Sequence, residues 1–247
     1  MQLNRTTAKS AVLVAGLVPL TGILLSASPS TSHVSAPAPT VVDVVQVKQQ
    51  APAPKTASKQ TQSALVAHTT IRPEPKSVQS GTVPRINFTA YKSAAETMAK
   101  TQPRCGIDWR LIAGIGRVES HHANSGDADK NGRLRTPIFG PVLDGSLSGN
   151  QVITDTDGGT LDGDSTYDRA VGPMQFLPST WKAYAADGNG DGKVDPQNVF
   201  DAALTTARYL CDEKLNLKNP GDETRAILRY NNSMEYVNNV LGFARSY

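Results

Sequence analysis

A long N-terminal stretch contains no aromatic residues, and this limits which part of the chain can fold. Ser28–Arg85 has no Phe, Trp or Tyr and is rich in Ala, Pro, Ser, Thr, Gln and Val. Such a segment cannot bury enough apolar surface to offset the conformational entropy lost on ordering. We therefore predict a disordered stem over residues 28–85 and one folded domain over residues 86–247.

Met1–Ala27 has the pattern of a secretory signal. Arg5 and Lys9 precede an uncharged apolar run from Ala11 to Ala27. The run approaches the length that can span a bilayer, so an uncleaved membrane anchor is the alternative. No cysteine follows the run, which argues against a lipoprotein. We expect an exported protein of the cell envelope or the extracellular space.

The net charge differs between the two parts of the chain. Residues 1–85 carry a net charge of +6, whereas residues 86–247 carry −3. The folded domain therefore lacks the cationic surface that nucleic-acid binding requires. The basic stem could bind an anionic membrane or wall polymer. A solvated linker without such a partner is the simpler interpretation. We expect the domain to act as a monomer.

The chain has only two cysteines, Cys105 and Cys211. In an exported protein, an even and minimal number of cysteines indicates one disulfide. Two buried free thiols are the alternative.

Most of the periodicity in the domain is helical, and no convincing alternating strand is present apart from short pieces near Val152–Thr154. Asp108 and Ser233 are suitable N-cap residues because their side chains can accept backbone N–H groups. The pattern therefore predicts a mainly α fold. Apolar repeats and caps predict helices over 88–100, 108–122, 179–186, 198–211, 222–230 and 233–245.

Glu119 lies at the edge of an apolar helical stripe formed by Leu111, Ile112, Ile115 and Val118. An edge glutamate often reaches solvent or an arginine, and from the helix alone that reading is the simpler one. A carboxyl held against apolar and aromatic neighbours would instead have a raised pKa. It could then donate a proton to a leaving oxygen near neutral pH.

Gly114 and Gly116 remove side chains from the same helix, so another element can approach it closely. These glycines weaken the helix next to Glu119, which suggests a role beyond packing.

Two further clusters could line a cleft. In "AVGPMQFLPSTW", the Gly172-Pro173 turn precedes Gln175, whose amide suits sugar hydroxyls. In "RYNNSMEY", Tyr230-Asn231 ends one helix. Cap chemistry explains Asn231 but does not require Tyr230.

Residues 187–198, "DGNGDGKVDPQN", match the twelve-residue EF-hand calcium loop. Gly192 provides the sharp turn at position six. Asn198 occupies position twelve, where a bidentate Glu is usual, so we expect weak calcium binding. An Asp/Gly turn without metal is the alternative. The predicted ligands are Asp187, Asn189, Asp191, the Lys193 carbonyl, Asp195 and Asn198.

A long Gly/Asp-rich segment, Asn124–Asp168, separates the first two clusters. Segments of this length without clear helix are usually functional or mobile. Its acidic residues could bind a cation, although their spacing matches no known loop.

The order Glu-Ser, Gly-Pro-Met-Gln-Phe, EF-hand-like loop and Tyr-Asn is similar to the lytic transglycosylases. More narrowly, it resembles the membrane-bound lytic transglycosylase B type, in an actinobacterial-looking form. The resemblance covers Ile107–Tyr247. It implies a lysozyme-like (goose-type/SLT) catalytic domain. It further implies cleavage of the β-1,4 bond between N-acetylmuramic acid and N-acetylglucosamine in peptidoglycan, without water, to give 1,6-anhydro ends.

The resemblance also implies roles for single residues. Glu119 would be the only catalytic acid and base, and calcium would be structural. The partners would be peptidoglycan glycan strands, with membrane attachment through the N-terminal segment as an option. The residues implied to support the acid or bind substrate are Ser120, Met174, Gln175, Phe176, Tyr230 and Asn231.

Two other functions remain open. A hydrolytic muramidase on the same fold would need a second carboxylate, which Asp162, Asp164 or Asp168 could supply. A non-catalytic, calcium-dependent glycan-binding module would bind the same polymer without cleaving it.

Overall fold

The computed structural model describes residues 73–147 and 151–247. The predicted leader, and the stem up to residue 72, lie outside these residues. Helices dominate the described part, which confirms the mainly α prediction, and none of them is long and apolar enough to cross a membrane. The helices are α1 (Lys76–Gln79), α2 (Arg85–Thr101), α3 (Trp109–Gly126), α4 (Pro178–Tyr184), α5 (Val199–Leu210), α6 (Pro220–Tyr230) and α7 (Met234–Ser246).

The packed structure begins before the predicted boundary between stem and domain. Helix α1 and the turn after it bury Val78 and Val83, which are 3% and 0% exposed. The Val83 backbone N–H also donates to the Ser77 carbonyl at 2.9 Å. Aliphatic side chains are sufficient to anchor this segment. The predicted boundary, which relied on the absence of aromatic residues, is therefore too far towards the C-terminus.

Polar caps set several of the helix ends near the predicted positions. The Asp108 side chain accepts from the Arg110 backbone N–H and begins α3. Ser233 accepts from the Tyr236 backbone N–H and begins α7. Each cap satisfies one backbone donor that has no partner within its helix.

Helix α3 packs against α2 and α7, and α2 also packs against α5. Gly114 and Gly116 allow these close approaches. A Cβ at Gly114 would lie 2.5 Å from the Val240 carbonyl oxygen of α7, and a Cβ at Gly116 would clash with the Tyr91 hydroxyl of α2. The two glycines therefore serve the close packing that the sequence predicted.

The end of α3 departs from the predicted right-handed helix. His121–Ser125 form a left-handed turn with φ between 52° and 66°. Left-handed backbone costs roughly 1–2 kcal/mol for each residue that carries a Cβ. The Ser120 hydroxyl accepts from the Ala123 backbone N–H at 2.9 Å and so takes part in the reversal.

The only sheet in the described residues has two antiparallel strands, β1 (Phe139–Val142) and β2 (Arg169–Val171). The region near Val152–Thr154, where short strands were expected, contributes a single bridge between Thr154 and Tyr167. Strands this short carry too little periodicity to be recognised from sequence.

The predicted disulfide between Cys105 and Cys211 is confirmed. It joins the segment before α3 to the end of α5. The Leu217 backbone N–H also donates to the Cys105 carbonyl at 2.7 Å, so this corner is fixed by both covalent and hydrogen bonds.

Candidate active site

Glu119 lies on the last right-handed turn of α3, and its side chain is partly buried. The Tyr236 hydroxyl of α7 donates a hydrogen bond to Glu119 Oε1. The Tyr230 ring stacks on the Tyr236 ring, with centroids 6.4 Å apart and planes 9° from parallel. The carboxyl therefore faces tyrosines from α6 and α7, which agrees with the expectation of aromatic neighbours.

Burial raises the pKa of Glu119 from 4.5 to about 7, and the hydrogen bond from Tyr236 partly opposes this shift. Burial and the nearby Glu119 charge raise the pKa of Tyr236 well above its usual value, so this hydroxyl remains a donor. Near neutral pH the carboxyl is therefore divided between its acid and base forms. That balance suits a group which first gives a proton and then takes one.

Ser120 connects the end of α3 to the segment before Met174. Its hydroxyl donates to the Pro173 carbonyl at 2.7 Å and accepts from the Ala123 backbone N–H at 2.9 Å. The side chain is 7% exposed. Because its donor and one acceptor site are used within the protein, Ser120 supports the site, which is one of the two roles implied for it. Contact between Ser120 and substrate stays a prediction.

The Met174–Phe176 segment lies beside this end of α3. The Tyr230 hydroxyl donates to the Met174 carbonyl at 2.7 Å. However, the side chains of Met174 and Phe176 are only 1% and 4% exposed, and Phe176 packs against Tyr230 at a centroid distance of 5.6 Å. The prediction that these two side chains line a glycan cleft is therefore wrong, because both are buried in the hydrophobic core.

Gln175 retains partial exposure between these two buried neighbours. Its backbone has φ of +51°, and its Nε2 donates to the Gly172 carbonyl at 2.9 Å. Gly172 has φ of +76°, and a Cβ there would clash with the Pro196 carbonyl. The EF-hand-like loop therefore packs directly against the turn that presents Gln175. Contact between Gln175 and a glycan stays a prediction.

Tyr230 and Asn231 lie at the end of α6, and Tyr230 reaches the site as expected. Asn231 is 7% exposed, and its backbone N–H closes α6 through the Ile227 carbonyl at 3.0 Å. Tyr236 was not predicted from the sequence, because its position on the apolar face of α7 is typical of a core aromatic. Only the packing of α7 against α3 brings its hydroxyl to Glu119.

The EF-hand-like loop is ordered by its own acidic side chains. The Asp187 carboxylate accepts the backbone N–H groups of Gly190 at 2.6 Å and Gly192 at 2.8 Å. Its pKa is lowered, chiefly by the hydrogen bond from Gly192. Asn189 and Asp191 are joined to each other through Nδ2 and Oδ2 at 3.1 Å.

Asn198 does not fit its predicted place among the calcium ligands. Its Oδ1 accepts from the Phe200 backbone N–H and caps α5, and its Nδ2 donates to the Asn131 carbonyl at 3.1 Å. The acid on the inner side of the loop is Asp201, which the sequence analysis missed. Asp201 is 1% exposed and accepts from the Gly188 and Asp195 backbone N–H groups.

The loop offers oxygen groups to a hard cation, and calcium binding there stays a prediction. Burial raises the pKa of Asp201, and the charge of Asp187 raises it further. Among the described residues, neither carboxylate has a salt bridge with Lys or Arg. A cation near both carboxylates would relieve this repulsion, and oxygen ligands are what calcium prefers.

Acidic side chains also organise the Asn124–Asp168 segment. Oxygens of Asp155, Asp157 and Asp168 lie within 4.8 Å of one another. Asp168 is fully buried and accepts from Thr156, while Asp162 accepts from backbone N–H groups, including that of Arg169 at 2.6 Å. These carboxylates therefore support the backbone of their own segment.

Comparison with known proteins bears on part of the domain. Residues 151–224 match the family model of the transglycosylase SLT domain. The matched segment contains Gln175 and the EF-hand-like loop, but Glu119 and Tyr236 lie outside it. No curated protein matches the chain. Among solved structures, the chain is similar to the Escherichia coli lytic transglycosylase Slt35 in complex with bulgecin A. That similarity has 15% identity and a TM-score of 0.40, and covers 68% of this chain and 76% of the other.

Proposed function

We propose that this protein is a peptidoglycan lytic transglycosylase with a lysozyme-like catalytic domain. The observation that carries the proposal is the Glu119 carboxyl, partly buried against Tyr236 with its pKa raised to about 7. The SLT domain match over residues 151–224 supports the same substrate class. The bond cleaved would be the β-1,4 linkage between N-acetylmuramic acid and N-acetylglucosamine.

In the first step, Glu119 gives its proton to the glycosidic oxygen as the bond from that oxygen to C1 breaks. The muramyl N-acetyl group stabilises the positive charge that develops at C1. Glu119, now a carboxylate, then takes the proton of the C6 hydroxyl while that oxygen attacks C1. The product is a 1,6-anhydromuramyl end, and the carboxyl regains its proton.

One acid is sufficient for this reaction because the sugar supplies the attacking hydroxyl. Two-carboxylate glycosidases need a second acid to act as nucleophile or to activate water. Among the described residues, burial and the Tyr236 hydroxyl account for the pKa of Glu119, with no contribution from a second carboxylate. The three candidate acids, Asp162, Asp164 and Asp168, are all held by hydrogen bonds within their own segment. The site therefore favours transglycosylation over the hydrolytic muramidase.

Calcium would be structural in this proposal. The ion would be held by Asp187, Asn189, Asp191 and the Lys193 carbonyl, with Asp201 in the place predicted for Asn198. Bound calcium would neutralise the loop and stiffen the turn at Gly172. The protein would act on the glycan strands of the cell envelope. Its N-terminal segment would attach it to the membrane.

The test is digestion of purified sacculi by the wild type and Glu119→Gln, with mass spectrometry of the released muropeptides. The wild type should release 1,6-anhydromuramyl products, each lighter by one water than a hydrolytic product. The variant should lose at least roughly 10²–10⁴-fold in rate, because an amide cannot transfer a proton. Reducing muramyl ends alone would indicate the hydrolytic muramidase. Binding of glycan without cleavage by the wild type would indicate the non-catalytic module.

A further inference from the structure

The left-handed turn His121–Ser125 begins two residues after Glu119. All five residues have positive φ, although none is glycine. L-residues with a Cβ disfavour this conformation, so surrounding contacts must hold the turn in place. Backbone strain of this kind is found mainly at functional sites, where the surrounding structure maintains it.

The side chain that holds the turn is His122, which is 1% exposed. Its Nδ1 lies 3.1 Å from the Tyr91 hydroxyl of α2, and its Nε2 lies 3.0 Å from the hydroxyl of Tyr247. Asn87 Nδ2 donates to the Tyr91 hydroxyl at 3.3 Å. In either imidazole tautomer, each ring nitrogen has one tyrosine hydroxyl as its partner.

Burial is the main reason that His122 stays neutral, lowering its pKa to about 3, and the charges of Arg117 and His121 add to this effect. A neutral imidazole has one donor and one acceptor, and both are used by the two tyrosines. His122 thus ties the turn to α2 and to the residue that follows α7.

The turn also determines how α3 ends. In a continuous right-handed helix, the Ala123 backbone N–H would bond to the Glu119 carbonyl. Here it bonds to the Ser120 hydroxyl, which in turn reaches the Pro173 carbonyl. The reversal therefore fixes the helix end that carries Glu119 against the segment that carries Gln175.

We propose that His122 is a positioning residue for Glu119. Its contacts with Tyr91 and Tyr247 hold the left-handed turn, and the turn keeps the Glu119 carboxyl in its partly buried place beside Tyr236. The groups that face this carboxyl are Tyr236 from α7 and Tyr230 from α6. The activity readout of this inference rests on the proposed function.

The experiment compares His122→Phe with His121→Phe, which changes an exposed histidine of the same turn. In His122→Phe, kcat on sacculi should fall by roughly 10²-fold, the cost of slight misplacement of a catalytic group, while KM changes little. The alkaline limb of its kcat profile should move from near pH 7 towards pH 4.5, because a released carboxyl regains its ordinary pKa. His122→Gln, which keeps a donor and an acceptor, should recover part of both losses, and His121→Phe should resemble the wild type.

A folded His122→Phe with the wild-type alkaline limb would overturn the positioning role. If that variant does not fold, Tyr247→Phe replaces it, because it removes only the hydroxyl that pairs with Nε2 and should move the limb in the same direction. Direct titration of the Glu119 carboxyl by NMR separates the two proposals. A wild type that does not cleave sacculi refutes the proposed function, whereas an unchanged Glu119 pKa in the variants refutes the role of His122.

Discussion

Replacing Glu119 by Gln should stabilise the fold at alkaline pH and leave it nearly unchanged at acid pH. Burial raises the pKa of Glu119 from 4.5 to about 7, so the folded state binds this proton more tightly than the unfolded state. The free energy of unfolding of the wild type therefore falls as the pH rises from about 4.5 to about 7, and it stays at the lower value above that range. The amide has no proton to lose, so the variant lacks this fall.

The size of the effect follows from the two pKa values. At roughly 1.4 kcal/mol for each pH unit between them, the full linkage is about 3 kcal/mol. Part of the Glu119 side chain reaches solvent, and screening reduces the stabilisation that we expect at pH 8 to about 2 kcal/mol. For a domain of this size, that corresponds to a rise in Tm of about 4–8 °C.

Urea denaturation followed by tryptophan fluorescence at pH 4, 6 and 8 measures this difference directly. Glu235→Gln is the matched control, because it removes an exposed carboxylate on the first turn of α7, beside Tyr236. This control should not show the gain in stability at pH 8 that we expect of Glu119→Gln. The reasoning would be refuted if Glu119→Gln differed from the wild type by the same amount at all three pH values, or if it were less stable at pH 8.

Three further predictions test other parts of the structure. Tyr236→Phe removes the hydrogen bond that lowers the pKa of Glu119; the alkaline limb of the kcat profile should move up, and a downward shift would contradict this. Reduction of Cys105–Cys211 should lower the free energy of unfolding by up to about 4–5 kcal/mol, because the bridge spans a sequence separation of 106 residues; equal urea midpoints with and without reductant would contradict it. Millimolar calcium should raise Tm. At 100 times its dissociation constant, calcium would add about 2.7 kcal/mol to the free energy of unfolding. Asp187→Asn should abolish that rise, and a wild-type Tm that does not respond to calcium or chelator would exclude the site.

The sequence alone determined most of the helices from α2 onward, because the signals that form them are local. Apolar residues repeat at the helical period, and polar caps mark where backbone donors need partners. The two cysteines allowed only one intramolecular disulfide, which the structure contains. The glycines at 114 and 116 likewise indicated that other elements approach α3 closely. In each case the structural signal comes from a few neighbouring residues or from the chemistry of a single residue type.

Tertiary packing decided which side chains of each motif face the site. Met174 and Phe176 flank Gln175 in sequence, yet only the core position of their segment shows that they are buried. Asp201 lies three residues beyond Asn198 in the next helix turn, and only the fold brings its carboxylate to the loop.

The environment of Glu119 shows most clearly which properties the sequence determines and which the tertiary structure determines. Its place at the edge of an apolar stripe could be read from the sequence, but the burial that raises its pKa comes from tertiary packing. The Tyr236 hydroxyl, which donates to this carboxyl and partly opposes the rise, is 117 residues away. The reversal of hand after Ser120 depends on contacts of His122 with Tyr91 and Tyr247. Hydrogen bonds between distant segments leave no periodic pattern in the chain, so only the three-dimensional packing could determine them.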